Sequence, residues 1–360
     1  MNVSVLLPVK NGLPYLKEAL SSILSQDAVE LEVIAIDDWS TDGTLEYLEE
    51  LAAIDNRVIV AGNPDSGLVS ALNFGLSIAS HEFVARMDAD DVAQPMRLHR
   101  QAVYLSQNPE VAVVGGQVCH IDENGSKTLE RTLPRSSTAN KFWLDYMCPV
   151  VHPAAMMRKS AILKLGGYRA AFLAAEDYDL WLRVCDDGKI VNLPSYVLDY
   201  RIHSSSVTQR KIQQQIMSIV YALYCTEMRR RSGADPVLGR TKPIETADFD
   251  GLPVKWRDLL ALLTLNYAVD CSPKASIGGL INDALRVLES RSQTGTLRAM
   301  ALWVLSRAKR KTMDGASISW SRLLMAVLSS PQTLMASTAL FFNRYRLMQQ
   351  PADGILTLAP

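Results

Sequence analysis

A chain of 360 residues, 48% hydrophobic and 21% charged, has the balance of a globular protein with ample core and not that of a disordered one. A formal net charge of −1 gives no global electrostatic basis for nucleic-acid binding. The five cysteines (119, 148, 185, 225 and 271) are scattered, odd in number and form no C-x-x-C pair, which argues against a disulfide framework or zinc knuckle and for a reducing compartment.

The first strand-like run, Val3 to Val9 (V-S-V-L-L-P-V), follows no basic n-region and no cleavage pattern, so no secretory signal is expected. A helix follows from Pro14, with Leu16, Ala19, Leu20, Ile23 and Leu24 at helical spacing. Leu31 to Ile36 reads as a second strand and Thr44 to Ala53 as a second helix, capped by Ser40 or Thr41. Arg57 to Ala61, Leu68 to Ala79 and Glu82 to Met87 read as strand, helix and strand. This β-α-β rhythm predicts an α/β fold with a mostly parallel central sheet flanked by helices, whose ligands sit at the carboxyl ends of the strands. Residues 1–209 form the expected catalytic domain. Residues 210–360 read as a helical extension, with Ile212, Ile216, Ile219, Val220 and Leu223 on one helix and a break near 233–253.

The fourth strand ends in three carboxylates, Asp88, Asp90 and Asp91. Such crowding of like charge is unfavourable without a cation, and hard carboxylate oxygens suit Mg²⁺ or Mn²⁺ shared with substrate phosphates. The plainer alternative is an acidic turn capping the helix near Pro95. Asp37 and Asp38 end the second strand and point to opposite sides, so one reaches the crevice and the other braces the turn. A carboxylate there accepts a uracil imide N–H or a ribose hydroxyl. Glu176, Asp177 and Asp179 crowd the start of a helix, where acids suit the dipole or supply a general base. Arg201 and His203 alternate on one strand face, a pairing suited to a diphosphate, with His203 also a candidate metal ligand. His152 reads as structural. Neither G-x-G-x-x-G after the first strand nor a P-loop occurs, which disfavours a dehydrogenase or an NTPase.

Taken in order, S-V-L-L-P-V-K-N-G (4–12), I-D-D-W-S-T-D-G-T (36–44), G-L-V-S-A-L-N-F-G-L (67–76), A-R-M-D-A-D-D (85–91), H-P-A-A-M-M-R (152–158), A-E-D-Y-D-L-W-L-R (175–183) and Y-R-I-H (200–203) resemble the family 2 glycosyltransferases with their A-type nucleotide-diphospho-sugar transferase fold. The resemblance implies that Asp38 contacts the nucleobase beside the Pro8 backbone, with Gly67 on the same donor edge. It implies Asp88 near the ribose, Asp90 on a Mn²⁺ or Mg²⁺ ion at the diphosphate, and Asp177 as catalytic base. Trp39 departs from the usual small residue and would narrow the donor pocket. The Q-x-x-R-W signature of processive synthases is absent, which favours single addition.

The implied reaction is inverting transfer of one sugar from a nucleotide-diphosphate sugar to a glycan or lipid-linked glycan acceptor. A nucleotidyltransferase of the same fold, a metal-dependent phosphohydrolase and a nucleotide-sugar-binding scaffold are the alternatives. Acceptor choice is expected in loops after Gly116 and around Phe142 to Val150. Leu323 to Phe342 is too polar for a confident span. The preceding helix ends in Arg307, Lys309, Arg310 and Lys311, so either it packs on the catalytic domain or it lies on an anionic membrane surface. The expected location is cytoplasmic, with peripheral association at the inner face of the membrane.

Overall fold

A computed structural model describes residues 1–145, 148–203, 212–271, 284–288, 301 and 304–305. The chain divides into two compact units, one containing Met1–Arg210 and Gly239–Lys242, the other Lys211–Leu238 and Pro243–Arg346.

In the first unit, β1 (Asn2–Val9), β2 (Glu30–Asp37), β3 (Val58–Gly62) and β4 (Phe83–Arg86) alternate with α1 (Leu16–Leu24), α2 (Thr44–Ile54) and α3 (Leu68–Ile78). Seven consecutive residues of β1 are buried, as expected of a parallel strand covered on both faces. α1 buries Leu16, Ala19, Leu20 and Ile23, the face predicted from their spacing. After β5 (Val92–Ala93) and α4 (Arg97–Gln107) come β6 (Val111–Ile121), β7 (Lys127–Arg131) and α5 (Ser137–Trp143). β8 (Met156–Arg158), α6 (Lys159–Lys164), α7 (Glu176–Asp187) and β9 (Lys189–Arg201) complete the unit.

These strands form one sheet in the order β3-β2-β1-β4-β8-β6-β9-β5, with β7 paired to β6. The parallel pairing predicted from the first half holds for β3, β2, β1 and β4. The second half is mixed: β8 runs antiparallel to both β4 and β6, and β6 is parallel to β9. Gly116 lies inside β6, which runs on to Ile121, so the loop expected after it begins only at Asp122, in the turn that leads to β7. A Cβ at Gly116 would sit 2.5 Å from a Val197 methyl and one at Gly115 only 2.2 Å from Asn192 Oδ1. These glycines admit β9 side chains at close range, a demand that reads in sequence like a turn.

The second unit contains α8 (Ile212–Ser232) and α9 (Val254–Cys271). α8 buries Ile216, Val220, Ala222 and Cys225, and Gly233 follows it at φ +71°. The predicted break contains a short 3-10 turn, Thr246–Phe249, closed by a reciprocal capping box between Glu245 and Asp248. Tyr221, Phe249, Tyr224 and Trp256 pack edge to face around it. Of the helices expected further on, only 284–288, 301 and 304–305 are described. The basic cluster Arg307 to Lys311 and the stretch Leu323 to Phe342 lie outside the described residues. Among the described residues no helix is long and apolar enough to cross a membrane.

Candidate active site

Parallel register brings the carboxyl ends of β1, β2 and β4 side by side. Val9 pairs with Asp37, Leu6 with Arg86, and the Asp38 N–H donates to the Val9 carbonyl at 2.8 Å. Pro8 sits one residue back, buried in β1, so the backbone touching Asp38 belongs to Val9.

Asp38 organises one end of this edge. Its Oδ1 accepts from Asn63 Nδ2 at 2.7 Å and from the Gly67 N–H at 2.9 Å. Lys10 Nζ stands 3.5 Å from its Oδ2. Gly67 has φ +102°, a conformation that L side chains rarely adopt, and its carbonyl accepts from Asn63 in turn. Asp38, Gly67, Asn63 and Lys10 therefore converge. Asp37 takes the other side and accepts the Ser40 N–H at 3.1 Å.

Asp88, Asp90 and Asp91 follow β4, with one carboxylate oxygen from each inside a 4.8 Å span. Asp90 Oδ2 lies 2.8 Å from His203 Nε2. Asp91 is buried and its Oδ1 accepts the Arg201 N–H at 2.8 Å. Burial first, then Asp88, raises the pKa of Asp90, with His203 opposing. Burial, Asp88 and Asp90 raise that of Asp91 further. Among the described residues, Asp91 Oδ2 and Arg86 Nε are buried without a hydrogen-bond partner. An all-oxygen set in which Asp90 and Asp91 have raised proton affinity, with one unsatisfied carboxylate oxygen, fits a hard divalent cation.

Arg201 departs from expectation. Its side chain is 1% exposed. Its guanidinium donates to the carbonyls of Asp90 (2.7 Å), Asp122 (3.1 Å) and Glu123 (3.3 Å) and to Glu18 (2.6 Å), and stacks 4.6 Å over Tyr15. No accessible face remains for a diphosphate; Arg201 buckles the acidic loop from behind. β9 ends at Arg201, so His203 reaches Asp90 from a loop and not from the same strand face.

Arg86 is the residue the sequence reading missed. It is 3% exposed and ion-paired with Asp88. Burial opposes its charge, but Asp88 and then Asp91 outweigh that and raise its pKa. Its field also opposes the rise in pKa that burial imposes on Glu176 and Asp177, so one buried cation serves both acidic clusters. The available signal was a lone arginine at the end of an apolar strand, two residues before Asp88.

The three acids at the start of α7 have three environments. Asp179 is fully buried between Arg169 (2.9 Å) and Arg183 (3.0 Å), a structural clamp. Glu176 is buried, and desolvation, then Asp177, push its pKa up to about 8. His152 Nδ1 lies 3.9 Å away, and its Nε2 meets the Tyr168 hydroxyl at 2.8 Å. Burial drives the His152 pKa well down, so it is a neutral core group, as its sequence context implied. Asp177 is half-buried and raised chiefly by desolvation. It accepts the Tyr178 N–H at 2.7 Å and faces the Cys148 thiol at 3.8 Å.

A Glu176→Gln variant is expected to gain stability at neutral pH. The folded pKa lies above the unfolded one, so the protonated form is favoured in the fold. Its contribution is full below about pH 4.5 and is lost as pH rises to about 8. Glutamine imitates the neutral acid, so its Tm advantage should vanish toward pH 4 and reach its maximum near pH 8. A flat difference across that range would place the ionised acid in the fold.

Residues 4–166 match the profile of glycosyl transferase family 2. The O-antigen biosynthesis glycosyltransferase WbnJ of Escherichia coli is 35% identical over 208 residues, 57% of this chain and 81% of that protein. This chain belongs to glycosyl transferase family 2. Two solved structures share the glycosyltransferase's fold. TarS 1–349 of S. aureus in complex with UDP-GlcNAc superposes with TM-score 0.55 at 17% identity, covering 87% of this chain and 89% of that one. The mannosyltransferase PcManGT of Pyrobaculum calidifontis, in complex with GDP-Man and Mn²⁺, has TM-score 0.52 at 20% identity and covers 87% of each chain.

Proposed function

We propose that this glycosyltransferase moves a single sugar, with inversion, from a nucleotide-diphosphate sugar onto an acceptor hydroxyl during O-antigen or polysaccharide assembly. One observation carries the reading: a divalent-cation set (Asp88, Asp90, Asp91) and a half-buried carboxylate of raised basicity (Asp177) share the field of Arg86. The O-antigen relative and the neighbour bound to UDP-GlcNAc support the substrate class.

In this reading Asp38 receives an N–H of the nucleobase through Oδ2, with Lys10 swinging aside. Gly67 and Asn63 hold Oδ1 so that the carboxylate is preorganised. Asp88 lies toward the ribose. Asp90, with Asp88 and Asp91 at hand, would hold Mn²⁺ or Mg²⁺, which supplies Lewis-acid neutralisation of charge on the leaving diphosphate. His203 orients Asp90 through their 2.8 Å contact, and so supports the cation site without needing to be a ligand itself. Arg201 and Arg86 fix the acidic loop. Asp177 takes the proton of the acceptor hydroxyl as its oxygen attacks the anomeric carbon opposite the leaving group. That single displacement inverts the centre. The acceptor is a glycan or lipid-linked glycan, and any membrane association is peripheral.

UDP-, GDP- and dTDP-sugars tested with Mn²⁺ should separate in thermal shift. A cognate donor at a hundred times its Kd should raise Tm by roughly 5–10 °C. Nucleoside diphosphate release should then require an acceptor glycan. Release of inorganic phosphate, or turnover independent of acceptor, would replace this reading with a phosphohydrolase.

A further inference from the structure

Beside the donor edge, on the α2 side of the sheet, lies an open hollow of about 770 Å³. Asp37, Trp39, Leu45, Glu49, Val60 and Pro64 are among its lining residues. Consecutive residues at a strand end point to opposite faces, so Asp37 and Asp38 serve different spaces. Asn63 borders both: it donates to Asp38, which also accepts the Gly67 N–H ahead of α3, and it lines the hollow with Asp37.

Three observations mark the hollow as a binding site. Trp39 is 67% exposed, although a large aromatic surface on a monomer gains by burial. It is also held at φ +60°, where a bulky residue is strained by roughly 1–3 kcal/mol. The turn is fixed there by the Ser40 N–H on Asp37 Oδ2 at 3.1 Å and by the Asn11 N–H on Ser40 Oγ at 2.9 Å. Finally, Asp37 is only 5% exposed, yet among the described residues its Oδ1 has no hydrogen-bond partner. A strained, exposed ring beside an unsatisfied carboxylate is a combination that costs stability and gains nothing in the empty protein.

The lining chemistry selects the occupant. The described lining holds two acids, Asp37 and Glu49, and no cation, so a phosphate or nucleotide would be repelled. Apart from Gly62 and the Asn63 amide, which is already engaged with Asp38 and the Gly67 carbonyl, the remaining wall is apolar and aromatic. We infer that this hollow is a second carbohydrate subsite, which takes a neutral pyranose with its C–H face on Trp39 and its hydroxyls donating toward Asp37 and Glu49. The hollow lies at the β2–β3 end of the sheet, two strands from β4, which Asp90 follows, so it grips a sugar of the glycan acceptor or product distant from the reacting hydroxyl. This inference rests on the glycan-transfer reading above.

The test is ligand-observed NMR on the whole chain with D-glucose, D-galactose, N-acetyl-D-glucosamine and L-rhamnose, each alone and then with saturating UDP and Mn²⁺. At least one sugar should bind, unaffected by UDP. Trp39→Ala should weaken it by about tenfold or more, the loss typical of an aromatic anchor. The same variant should keep the wild-type circular dichroism spectrum and a cooperative melt, which shows that it is folded. Absence of binding by all four sugars, displacement by UDP, or full binding by Trp39→Ala would overturn the inference. Failure of the wild type to bind any nucleotide would instead strike the donor reading and leave the saccharide result to stand by itself.

Discussion

Asp177→Asn is expected to lower sugar transfer by ~10²–10⁴ while leaving nucleotide-sugar binding intact, the usual cost of losing a general base. The neighbouring acids are unsuited to the task for separate reasons. Asp179 is committed to Arg169 and Arg183 inside the fold. Glu176 holds its proton up to about pH 8, so near neutrality it has no free lone pair of the required basicity. Asp177 alone is half-buried, near enough to solvent to meet an acceptor and dry enough to be raised above an ordinary aspartate. The rate should therefore rise with pH along an acidic limb displaced upward from the usual carboxylate range. Glu176→Gln should retain most of the rate, and Asp179→Asn should lose stability before it loses chemistry, because the buried Arg183 and the partly buried Arg169 are left under-paired. Wild-type rate in Asp177→Asn on a true acceptor would move the base elsewhere.

The gathering of acids at the strand ends was legible because it depends on local pattern. β1 to β4 are short apolar runs separated by amphipathic stretches, and their carboxyl ends must share one edge once the strands are parallel. Acids at those ends are then neighbours by topology. What escaped depends on long-range burial. Arg86 looks like an ordinary charge in sequence, and only the packing of β4 between β1 and β8 makes it the shared counter-ion of two acidic clusters. Arg201 misled in the opposite direction. Strand alternation put it on a face with His203, but β9 stops at Arg201 and the side chain turns inward to three backbone carbonyls. The mixed half of the sheet was equally hidden. β8 has three residues and β5 two, too few for any periodicity to register.

Asp90→Ala should abolish the cation-dependent part of donor binding. Loss of an outer-shell partner of a metal typically costs 10–100-fold in affinity, and a direct ligand should cost at least as much. Calorimetry with UDP or GDP, in Mn²⁺ and in EDTA, reads the effect as the difference between the two conditions: large for wild type and near zero for the variant. His203→Ala should show a smaller loss, because that imidazole orients the carboxylate at 2.8 Å. A second readout separates a functional ligand from a structural acid. Asp90 has a raised pKa in the fold, so its stabilising contribution is full below the unfolded pKa and is lost as pH rises through the folded one. At neutral pH, without a cation, its negative charge therefore burdens the protein beside Asp88. Asp90→Ala should melt no lower than the cation-free wild type at neutral pH, and the advantage should shrink as pH falls. Added Mn²⁺ should reverse the order, raising the wild-type Tm and leaving the variant where it was. Unchanged Mn²⁺-dependent affinity in a variant of normal Tm would remove Asp90 from the cation site. A variant that melts far below the wild type at every pH would make Asp90 a structural acid of the loop that Arg201 buckles. The expected outcome, a carboxylate that destabilises the empty protein and is indispensable to the loaded one, is the trade expected where like charges are gathered for a ligand and not for the fold.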